Sequence, residues 1–89
     1  MKIEFLGLTR QAAGLVHLEL AGVTVADVLQ RLLASNPELK SHLFDGGRLR
    51  PDICILVNGR NIRYLDGEAT PLDDDDTITI FRQVAGGAP

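Results

Sequence analysis

The residues most suited to chemistry lie in the closing stretch "FRQVAGGAP". Paired glycines such as Gly86 and Gly87 let backbone approach another surface closely and place no side chain beside a carboxylate, so such a pair at a C-terminus is a reactive handle. Here Ala88 and Pro89 follow it. The pair is therefore either an ordinary flexible end, of the kind small residues often form, or a handle exposed by cleavage between Gly87 and Ala88.

The rest of the chain offers little else. His17 and His42 fall in different polar segments, with no serine or cysteine arrangement reading as nucleophile and base. Cys54 is the single cysteine, which excludes an internal disulfide and any cysteine-pair metal site, and its place in "ICILV" suits a small core residue. "DGG" lacks the lysine and the strand-to-helix context of a phosphate loop. The acidic run Asp73–Asp76 reads as a solvated turn, because the alternating ligands and distal glutamate of a calcium loop are missing. No metal site and no catalytic residue within the chain is expected, and an enzyme acting alone is disfavoured.

A net charge of -3 and few aromatic residues argue against nucleic-acid binding. Glu4 interrupts the apolar start and no run is long enough to span a bilayer, so no membrane partner and a cytoplasmic location are expected. At 89 residues, 45% of them hydrophobic, the chain has room for one domain with one modest core. The expected division is a domain over 1–84 and a flexible tail over 85–89.

The elements that would carry the tail follow from periodicity. "KIEF" alternates, with Ile3 and Phe5 on one side, and "LVHLEL" alternates again after the turn glycine Gly14, so the two predict a hairpin. Thr24 is placed to cap a helix with Asp27 in the capping-box position, and Val23 with Val28 as a hydrophobic staple. Val25, Val28, Leu29, Leu32 and Leu33 then form one apolar stripe that ends at Pro37. "PELKSHLF" predicts a short helical turn broken by "DGG", and "ICILVNGRNIRYL" a second hairpin about Asn58-Gly59. "TITIF" is the last strand, with Ile78 and Ile80 opposite Thr77, Thr79 and Phe81.

These elements describe an α+β roll of the ubiquitin-like β-grasp plan: a mixed sheet of four to five strands with one main helix on one face. The helical crossover lets the last strand run parallel beside the first, so that the tail leaves the middle of the sheet. At about 3.3 Å per residue an extended tail would carry Gly87 roughly 15 Å beyond the sheet. Alternation sends Leu6, Leu8 and Phe81 to the open face, where with Val84 they form a candidate partner-binding patch at the root of the tail. For the two leucines, packing under "PELKSHLF" carries nearly equal weight.

In "TVADVLQRLLASNPELKSHLF", "LRPDICILVNGRNIRYLDGEATPLDDDDTITIF" and "VAGG" the chain resembles the MoaD and ThiS group of ubiquitin-like sulfur carriers, specifically its longer MoaD-like branch. The combination of "VNGRNIR", "TPLDDDDTITI" and "VAGG" at this spacing is the specific part. The resemblance implies a carrier that binds no cofactor itself. Its terminal glycine, matching Gly87, would be adenylated by a separate ATP-dependent enzyme using magnesium and then converted to a thiocarboxylate, while Gly86 would pass a narrow channel. The sulfur would go to an accepting enzyme such as the large subunit of molybdopterin synthase. Delivery to cysteine or another metabolite fits "LFDGG", "RLRPD" and "VAGG" nearly as well, and a modifier joined to lysine through Gly87 is a third use. Two departures stand out. Arg82-Gln83 occupies a position where members often carry two prolines, and Ala88-Pro89 places the free carboxylate up to about 7 Å past Gly87, so a processing peptidase is a further implied partner.

Overall fold

A computed structural model describes residues 1–7, 9, 11, 14 and 17–83. The first strand, β1 (Lys2–Phe5), pairs antiparallel with β2 (His17–Glu19) through Ile3 opposite Leu18. Gly14, at the expected turn, has φ +72°. The main helix, α1 (Val25–Ser35), follows, with a 3-10 turn Pro37–Leu39 and the short helix α2 (Lys40–Leu43) behind it. Next come β3 (Phe44–Asp45), β4 (Arg48–Leu49), β5 (Ile53–Val57) and β6 (Arg60–Asn61), and finally β7 (Thr77–Arg82). The described residues form a five-stranded sheet in the order β2-β1-β7-β5-β6. Strand β7 is parallel to β1 and antiparallel to β5.

The core lies between this sheet and α1. The sheet contributes Ile3, Phe5, Ile55, Ile78 and Ile80, each at most 1% exposed. The helix answers with Val25, Val28, Leu29 and Leu32, while Leu33, the fifth residue of the expected stripe, is only half-buried at the edge of the core. Leu39 and Leu43 close one end of the core. Burying a side chain such as Leu32 completely contributes about 1.5–3 kcal/mol, so the helix is held mainly by this face. Together these features are the β-grasp architecture expected from the sequence.

The start of α1 differs in detail from expectation. Asp27 N–H donates to Thr24 Oγ1 at 3.3 Å, so Thr24 caps the helix as expected. The Asp27 carboxylate, however, reaches back to the N–H of Val23 rather than to that of Thr24. The Val23–Val28 staple does not form: Val23 is 72% exposed while Val28 is buried. Backbone contacts set the approach instead. Val23 O accepts the Leu72 N–H at 2.8 Å, and Gly22 lies so close that a Cβ there would stand 2.6 Å from Val28 Cγ2. A β3–β4 hairpin, turning at Gly46 and Gly47, adds a two-stranded sheet whose two-residue strands are too short to show a period in the sequence.

The Asn58-Gly59 turn is as its residues dictate, with φ +52° and +86°. Asn58 also holds the acidic run, which is thus more than a solvated turn. Its Nδ2 donates to Asp76 Oδ1 at 2.8 Å, and its Oδ1 accepts the Thr77 N–H at 2.9 Å. The Asp73 N–H, with Asn58 second, draws the Asp76 carboxyl below its ordinary pKa. These contacts fix where β7 begins.

Candidate functional site: the root of the C-terminal tail

The site is the far end of β7. As the central strand it delivers the chain out of the middle of the sheet, on a scaffold held from both sides. On the β1 side, Leu6 N–H donates to Ile80 O at 3.1 Å. Thr9, only 2% exposed, sets its hydroxyl 2.6 Å from Leu6 O and 2.8 Å from Ile80 O. On the β5 side the register runs from Val57 opposite Ile78 to Ile53 opposite Arg82.

One residue beyond that register, Gln83 N–H donates to Asp52 O at 2.7 Å. The Asp52 carboxylate lies between two guanidinium groups. Arg50 donates from Nε at 3.1 Å and from its terminal nitrogen at 3.2 Å, and Arg82 Nε donates at 2.8 Å. The Arg50 hydrogen bonds, then those from Arg82, outweigh partial desolvation and hold the Asp52 carboxyl at about 2, against an ordinary 3.8. Cys54 Sγ lies 3.6 Å from Gln83 Oε1. Cys54 is buried, as its sequence context required, but its neighbour across the ladder is Phe81, on the face away from the helix. The pair Arg82-Gln83, singled out in the sequence, is therefore tied down residue by residue. Asp52 escaped sequence reading because it lies outside any hydrophobic pattern; only the register of β5 on β7 brings it to Arg82.

Because folding lowers the Asp52 pKa, its contribution to stability is complete above the unfolded value, about pH 4, and is lost as the pH falls through about 2. Urea melts of wild type and Asp52→Asn are expected to differ by a constant amount from about pH 7 to about pH 5 and to converge toward pH 2. A difference that grew on acidification would contradict the bridge.

Of the expected patch, Leu6 is 47% exposed, so it does not pack under the 37–44 segment, and Phe81 is half-buried on the adjacent strand. Leu56, also half-buried, shares the face of Phe81. Leu8, Val84, Gly86, Gly87 and Ala88 lie outside the described residues, as does Pro89. His17 and His42 are exposed on separate elements. Among the described residues, no group of three or more His, Cys, Asp or Glu is placed to hold a metal ion. No described helix is long and apolar enough to cross a membrane.

The profile of the ThiS family matches residues 3–87. Small archaeal modifier protein 3 of Haloferax volcanii is 45% identical over 64 residues, covering 72% of this chain and 70% of that protein. The sulfur carrier protein CysO of Mycobacterium tuberculosis is 31% identical over 83 residues, covering 90% of this chain and 89% of its own length. The solution structure of small archaeal modifier protein 1 from Methanosarcina acetivorans superposes with a TM-score of 0.88 at 41% identity, covering 97% of this chain and 94% of that one. A tail rooted on the central strand of a β-grasp sheet is thus joined to a sequence match that runs from β1 to the second glycine, and the chain belongs to the ThiS family of ubiquitin-fold sulfur carrier and modifier proteins.

Proposed function

We propose that this protein carries sulfur as a thiocarboxylate on Gly87 and gives it up, without catalysing the transfer itself, inside a partner enzyme. The observation that carries the reading is that the family match ends on Gly87, the residue to which the anchored end of β7 leads. In the first step an oxygen of the Gly87 carboxylate attacks the α-phosphorus of ATP held with magnesium by an adenylating partner, and pyrophosphate leaves. A sulfur nucleophile then attacks the glycyl carbonyl and AMP departs, leaving an acyl group that can pass sulfide on. The carrier supplies position and reach; the partner supplies the nucleotide site.

The chain as it stands continues to Ala88 and Pro89, and a peptidase is proposed to remove them. The acceptor we favour is a pterin precursor in the large subunit of a molybdopterin synthase. The 31% identity to the sulfur carrier protein CysO over most of both chains supports the carrier role, for which cysteine or another metabolite is the second proposed destination. The 45% identity to a small archaeal modifier supports an isopeptide bond from Gly87 to a lysine.

Leu6 and Phe81, at the root of the tail, are the proposed dock for these partners. Leu6→Glu with Phe81→Glu is expected to leave the thermal midpoint within a few degrees, since neither belongs to the core cluster. It should weaken partner binding by about 10-fold or more, as loss of a central apolar contact does. Unchanged affinity in calorimetry would remove the patch from the interface. The test of the function is intact-mass analysis of protein from its native cell. A chain ending at Gly87 and heavier by the difference between sulfur and oxygen is the expected species; a branched lysine peptide indicates the modifier. Material that always ends at Pro89 with an unaltered carboxylate refutes both.

A further inference from the structure

We propose that Asp52 is a positioning residue for the tail: it fixes the point and direction at which the chain leaves the sheet, and so sets how readily a partner captures the glycines. This deepens the proposed function and rests on it.

The argument begins with what holds β7 at its end. On the β1 side, strand pairing stops at Phe5 opposite Ile80, and the Leu6 N–H to Ile80 O bond is the next one. Beyond Ile80 the ladder continues only along β5 among the described residues, through Cys54 opposite Phe81 and Ile53 opposite Arg82. The Asp52 O to Gln83 N–H bond is the last rung on that side. Asp52 therefore holds the end of the strand twice, with its carbonyl on Gln83 and its carboxylate on Arg82 at 2.8 Å. Arg50 fixes the same carboxylate through two donors, one to each oxygen, so the group gripping Arg82 is itself braced.

Gly87 is the fourth residue after Gln83, so an extended chain reaches at most about 13–14 Å from that point. With reach so short, fixing where the chain leaves the sheet confines the volume the terminal glycine can sweep and raises its effective concentration at a partner's site. A fixed root also lowers the conformational entropy lost when the tail enters a channel. Loosening the root should thus act on capture rather than on the chemical step, which occurs only after the tail is seated.

The experiment uses the full domain ending at Gly87 with its cognate adenylating enzyme, following pyrophosphate release, together with amide hydrogen exchange on the free carrier. Asp52→Ala is expected to raise KM about three- to tenfold with kcat within about twofold, and to speed exchange at the Gln83 amide about three- to fivefold. Asp52→Glu, which keeps the carboxylate, is expected to recover most of both effects. The double variant Asp52→Ala, Arg82→Ala should be no worse than the poorer single variant, since the two residues act as one contact. Unchanged Gln83 exchange in folded Asp52→Ala overturns the inference, as does an unchanged KM when the wild type is activated, or full additivity in the double variant. If the wild-type chain is never adenylated, the proposed function fails, and the tail-capture role of Asp52 falls with it. A loss of Gln83 protection would then establish only the anchoring.

Discussion

Gly87→Ala is expected to fold like the wild type and to lose about 100-fold or more in adenylation and sulfur transfer. The fold should not notice the change, because the core cluster draws only on residues between Ile3 and Ile80. The proposed partner should notice it, because a methyl group beside the reacting carboxylate would crowd the narrow channel implied for bare glycine backbone, and a misplacement of about 1 Å can cost about 100-fold in rate. Pyrophosphate release with the activating enzyme measures the loss, and circular dichroism checks the fold. Wild-type turnover in this variant would mean that Gly87 is not where the chemistry occurs.

The largest effect on stability is expected at Phe5. It is fully buried in β1, opposite Ile80 on the tail-bearing strand. Phe5→Ala removes an aromatic ring from a close-packed site and should cost about 3–5 kcal/mol. The whole domain has about 4–13 kcal/mol of stability at about 0.05–0.15 kcal/mol per residue. At about 4–8 °C per kcal/mol the thermal midpoint should drop by at least about 12 °C, and some preparations should be largely unfolded at growth temperature. A calorimetric shift of only a few degrees would show that the core between β1 and β7 is looser than its burial indicates.

Most of the fold was legible because hydrophobic period and turn chemistry point the same way. Ile3 and Phe5, Ile78 and Ile80, and the α1 stripe each announced a face. Asn58-Gly59 announced a turn, and the intervening helix supplied the crossover that a parallel β1–β7 pair needs. What stayed hidden has no period to reveal it. Strands of two residues, such as β3 and β4, are too short to alternate. Val23 looked like a staple because its type fits one, but its backbone pairs with Leu72 and turns the side chain to solvent. The glycines could be read as a handle from residue type alone. Asp52 could not, since its partner lies 30 positions away and is met only through sheet register.

The parallel pairing of β1 with β7 has a consequence for biosynthesis. Strand β1 is synthesised well before β7 and must wait for it to pair, and pairings between such distant segments slow folding. A chain that stalls before residue 77 leaves β1–β2 and β5–β6 as two separate ribbons with no strand between them. Only a molecule in which β7 has entered the sheet has a rooted arm to offer, so a product lacking that strand would be withheld from the proposed activation by its own topology.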